Sequence, residues 1–72
     1  MSNQVTTLFL EEIEKVKSDI ELANTFDDRA QAARLVSKAM HQLNYLMAIQ
    51  LGVDAEYREV TKQAVEFFNA LK

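Results

Sequence analysis

The sequence predicts an all-α protein: three antiparallel helices in a short bundle, over residues 7–24, 26–51 and 55–71 of a single domain spanning 1–72. Three observations carry this. Apolar residues recur at spacings of three and four through nearly the whole chain, the signature of helices that each bury one side. The chain holds no proline, and its single glycine stands between two of the periodic stretches. The segments between those stretches are only two or three residues long, which makes consecutive helices antiparallel neighbours.

The first helix is expected from Thr7 to Asn24, with residues 1–6 as a frayed lead-in that offers Ser2, Thr6 and Thr7 as caps. Phe9, Ile13, Val16, Ile20 and Ala23 follow one another at four, three, four and three, the rhythm of a helix packed along one seam. Leu8, Leu10 and Leu22 fall off that seam and hint at another contact.

The middle helix is predicted to start at Thr25, whose hydroxyl and the Asp28 carboxylate three residues later have the spacing of a reciprocal cap. Gly52 stops it, because a glycine in the left-handed conformation closes a last turn and lets Val53 fold back on the apolar end. Between these signals Ala33, Val36, Met40, Leu43, Met47 and Leu51 form one stripe, and Ala32, Leu35, Ala39, Leu46 and Ile49 a second beside it. Together they span roughly 200° of the circumference, about twice the arc of a helix that rests on one neighbour. The expectation is a long central helix with both outer helices docked on it.

The third helix is predicted from Ala55 to Leu71, capped by Asp54 and carrying Glu56 in its first turn. Tyr57, Val60, Ala64, Phe67 and Leu71 mark its seam, with Phe68 beside them and Val65 outside.

Composition narrows the function. Hydrophobic residues are 49% and charged residues 26%, the balance of a folded chain. The formal net charge is −3, which argues against general attraction to nucleic acid or to an anionic membrane. No cysteine is present, so thiol catalysis, disulfides and cysteine-ligated metals are excluded. No apolar run approaches the ~20 residues of a membrane span and the first residues do not read as a signal peptide, so cytoplasmic residence is expected. His41, the sole histidine, has Ser37, Lys38, Asn44 and Tyr45 as its helical neighbours, a poor metal environment, and reads as a surface residue. Glu11, Glu12 and Glu14 lie on the polar side of the first helix, where carboxylates do not converge for acid–base work. No catalytic residue, metal site or cofactor is expected.

Residues 48–54 have the alanine, glycine and valine of a helix-turn-helix corner. Arg58 stands where a recognition helix buries an aliphatic side chain, and Glu56, Glu59 and Glu66 outnumber Arg58 and Lys62 on the helix that would enter the groove. A DNA-binding regulator is therefore the least favoured reading, and a tight helix corner explains the same residues.

The stretch from Ala33 to Leu71 resembles the small helical co-chaperones of type III secretion needle subunits. The likeness lies in a long helix, the corner Gly52-Val53-Asp54-Ala55-Glu56-Tyr57, and a returning helix with Ala64 and Ala70 along it. The resemblance implies a hairpin that joins a larger helical-repeat chaperone and helps to hold an aggregation-prone subunit in the cytoplasm.

The expected function is binding rather than catalysis. The protein-binding surface is predicted to be the part of the second stripe that the outer helices leave open, Leu35, Ala39, Leu46 and Ile49, rimmed by Lys38, Gln42 and Tyr45. Tyr45, on the polar arc with Arg34, Lys38 and His41, has the composition of an interface anchor. A partner helix laid on this stripe gives a co-chaperone or adaptor; a second copy gives a homodimeric structural or regulatory protein.

Overall fold

The computed structural model describes residues 4–72, and the fold is all-α, so the Ser2 cap lies outside the described residues. Four helices are present: α1 (Gln4–Ala23), α2 (Arg29–His41), α3 (Tyr45–Leu51) and α4 (Asp54–Ala70). α1 packs against both α2 and α4, α2 touches α4, and α3 packs against α4. The body measures 45 × 16 × 14 Å.

The seams of the outer helices are where their spacing puts them. Ile13, Val16, Ile20 and Ala23 of α1 are buried, as are Val60, Ala64 and Phe67 of α4, and Phe9, Tyr57, Phe68 and Leu71 pack at the edge of the same core. Leu10 also packs there, whereas Leu8, Leu22 and Val65 stay exposed. Helix α1 begins at Gln4, so Thr6 and Thr7 lie inside its first turns and do not cap it.

The predicted middle helix is two helices, and this is the main departure from expectation. After His41 the chain makes two tight turns, with the Gln42 amide donating to the Ala39 carbonyl and the Leu43 amide to Met40, both at 3.1 Å. Asn44 then adopts an extended conformation (φ −128°, ψ 116°), and its side-chain oxygen accepts from the Met47 amide at 3.2 Å. An asparagine side chain competes with the helical ladder and is favoured at an N-cap, so it both ends one helix and starts the next. The break buries Leu43 in the core and turns α3 so that Ala48 is buried.

Two caps differ from expectation for related reasons. Asp28, not Thr25, is the N-cap of α2: its carboxylate accepts from the Ala30 and Gln31 amides at 3.0 and 3.1 Å. Thr25 instead donates its hydroxyl to the Leu22 carbonyl at 2.7 Å, finishing α1. Arg29 ties the turn together, donating through Nη2 to the carbonyls of Ala23 (2.9 Å) and Phe26 (2.8 Å) while its guanidinium lies 5.9 Å from the centre of the Phe67 ring on α4. At α4 the chain enters through Val53 with no side-chain cap, and Asp54, already helical, pairs with Arg58 at 3.0 Å.

Gly52 closes α3 as expected, in the left-handed conformation (φ 74°, ψ 23°). The Val53 amide reaches back to the Ala48 carbonyl at 2.9 Å and the Gly52 amide to Ile49 at 3.1 Å, the paired bonds of a Schellman motif. Val53 and Ala48 are both buried at this corner.

Candidate protein-binding surface

The break divides the seven predicted surface residues into two groups. Leu35, Lys38, Ala39 and Gln42, all on α2 or at its end, line one side of a shallow open groove of about 190 Å³; Lys15 and Asp19 of α1 line the other. Ala39 is 3% exposed and Leu35 is half-buried against the core, so these two are occupied by the protein's own packing and form the floor of the groove. Lys38 and Gln42 are exposed at its edge. Lys15 and Asp19 are paired with each other at 3.4 Å across one turn of α1.

The second group lies on α3. Leu46 is 70% exposed, Ile49 47% and Tyr45 45%. Met47, which the sequence places in the other stripe, joins them at 38%, because the residues unwound before α3 shift the phase of everything after them. Tyr45 does not stand free among cations: its ring packs on Tyr57 of α4, centroids 5.4 Å apart and tilted by 47°.

Helix α3, Tyr-Leu-Met-Ala-Ile-Gln-Leu, carries no charged residue. A helix whose residues are apolar but for Gln50 is ordinarily enclosed, yet α3 covers one side against α4 and leaves four large side chains in water. Their exposed area is on the order of 400 Å², within the range at which a patch on a small monomer becomes a binding site. Half of the large hydrophobic residues exposed among the described residues lie in this one five-residue run.

Charge is unevenly shared around the patch. Helix α2 holds Arg29, Arg34 and Lys38 and no acid, whereas α1 holds Glu11, Glu12, Glu14, Asp19 and Glu21 against Lys15 and Lys17. Arg34, Lys38 and His41 are all exposed on this acid-free helix. A second open cleft, of about 340 Å³, lies between the far ends of α1 and α4 and is lined by Ile20, Glu21, Asn24, Gln63, Glu66, Phe67 and Ala70.

No helix of the described residues is long and apolar enough to cross a membrane. Comparison of the chain with family models, with curated proteins and with solved structures gives no match.

Proposed function

We propose that the protein is a small, non-enzymatic interaction module that binds a helix of a protein partner through α3. The observation that carries this reading is the exposure of Tyr45, Leu46, Met47 and Ile49 on a charge-free helix, while the seams of α1 and α4 are well covered. An amphipathic partner helix laid along α3 would bury those side chains and meet the cations of α2 at the edge of the contact. Its residence would be cytoplasmic, in keeping with a cysteine-free composition. The co-chaperone role implied by the resemblance is one form of this activity; the corner at Gly52 is retained, although the long helix before it is interrupted.

The test is site-specific photocrosslinking in cells that express the chain. A photoreactive residue replacing Leu46 is expected to give a protein adduct that is lost when Ile49→Glu is added, with none from a probe replacing Glu59. If position 46 yields no more adduct than position 59, α3 is not a binding surface.

A further inference from the structure

We infer that α2 and α3 are the two halves of a hinged helix: a backbone rotation at Leu43 and Asn44 joins them into one helix over residues 29–51, which closes Leu46 and Met47 onto the N-terminal end of α1. This goes beyond the assignment of α3 as a binding surface and does not depend on it.

Two seams end without a partner at the same end of the molecule. From α2 onward the buried residues Ala32, Val36, Ala39 and Leu43 follow one another at four, three and four. The next step of three or four lands on Leu46 and Met47, yet Leu46, 70% exposed, is the most exposed large hydrophobic side chain among the described residues, and Met47 is 38% exposed. The residue that α3 buries is Ala48, about 140° round from Leu43 at ~100° per residue. On α1 the seam of Phe9, Ile13, Val16 and Ile20 extends back by four residues to Val5, which is 59% exposed. The short turn between α1 and α2 makes them antiparallel, and α1 has 20 residues against 13 in α2, so α1 outruns α2 by about 10 Å. Lys15 and Asp19 of α1 line the groove with Leu35, Lys38, Ala39 and Gln42, which fixes the register of the two helices. Carried on past Gln42, that register sets Leu46 and Met47 level with Phe9, and Leu51 near Val5. A straight helix over 29–51 thus supplies the cover that both seams lack.

Little holds the break. Gln42 keeps helical dihedrals (φ −78°, ψ −11°) and Asn44 is extended, so the departure is confined to Leu43 and Asn44. Neither is proline or glycine, and both residue types adopt helical dihedrals freely. The bent form gains the Asn44 side-chain bond to the Met47 amide, the burial of Ala48 and the Tyr45–Tyr57 ring pair. The joined form exchanges these for the burial of Leu46 and Met47, and for carbonyl partners to the amides at positions 44, 45 and 46, which the start of α3 leaves without a helical acceptor. The bent form displays the α3 surface, and the joined form withdraws Leu46 and Met47 from it.

Amide hydrogen exchange of the purified protein, followed by NMR, reads the hinge without any partner. Asn44→Ala removes the cap of the bent form and suits a helix interior, so the amides at positions 44, 45 and 46 should exchange about tenfold or more slowly than in the parent protein. Adding Leu46→Glu, harmless where that side chain is in water, should undo this protection. Tyr45→Pro fits the first turn of a separate α3 and forbids a joined helix, so its Leu46 amide should exchange severalfold faster than in the parent. If Asn44→Ala leaves the three amides as fast as in the parent or faster, loss of the cap only frays α3 and the hinge is overturned. If the protection survives Leu46→Glu, the helix joins without closing on α1, and the closure is overturned. Should Asn44→Ala fail to fold, an equal rate for the Leu46 amide in the parent and in Tyr45→Pro overturns the proposal.

Discussion

Gly52 is the one residue among those described whose identity is dictated by backbone conformation, and that makes it a sharp probe of the corner. Its φ of 74° lies in the left-handed region, and a Cβ placed there would meet no atom within 4 Å. Space is therefore not the constraint. Gly52→Ala costs the left-handed penalty of about 1–2 kcal/mol, partly offset by the ~0.4–1 kcal/mol gained from a less flexible unfolded chain. The net loss is about 1 kcal/mol, against a total of roughly 4–11 kcal/mol for a domain of this length, and it should lower Tm by about 4–8 °C. Asparagine is larger than alanine but tolerates the left-handed region, so Gly52→Asn should cost less, about 0.5 kcal/mol. Gly52→Val, β-branched, should cost most, about 2 kcal/mol. Urea unfolding of the four proteins at one low concentration, followed by circular dichroism, gives the order Gly, Asn, Ala, Val. An order that follows side-chain volume, with asparagine worse than alanine, would show that crowding governs the site. A neutral alanine would show that Gly52 does not hold the left-handed conformation.

The turn between α1 and α2 supplies two further expectations. Asp28→Ala removes the acceptor of two backbone amides and should cost about 1 kcal/mol, whereas Thr25→Ala, outside the cap, should cost only a few tenths; chemical denaturation of the pair measures the difference. Arg29→Ala removes the single Nη2 donor that reaches both the Ala23 and the Phe26 carbonyls and should lose about 1 kcal/mol; equality of Arg29→Ala with the parent protein in the same denaturation would refute the two-carbonyl role.

Helix seams were the most legible part of the chain, because Ile13, Val16 and Ile20, and Val60, Ala64 and Phe67, repeat with a rhythm that only burial along one side produces. The break at Asn44 was not legible from periodicity, since the apolar spacing continues on both sides of it. Asn44 itself, three residues before Met47, was the available signal: an N-cap residue inside an uninterrupted pattern. That one miss accounts for the errors in the surface. A continuous helix would have aligned Leu35 and Ala39 with Leu46 and Ile49, whereas the bend leaves the first pair to the core and moves Met47 outward. Lys38 and Gln42 were placed at the rim of the binding stripe by their polarity alone; in the structure both are exposed beside the α1–α2 groove.

The separation of α3 from α2 also sets how the molecule opens. Seven residues make two turns, too few to persist as a helix in water, so α3 survives through its packing on α4 and the bonds at Asn44 and Gly52. Its amides can therefore exchange with solvent through a local opening that leaves the clasped α1–α2 turn and the Val16, Val36 and Val60 core intact. The bundle would thus hold two cooperative units, a slow one built on α1, α2 and the far half of α4, and a fast one at the corner. Whatever docks on α3 would stabilise the fast unit first, so protection of the Ala48 and Val53 amides would report occupancy well before any change in global unfolding.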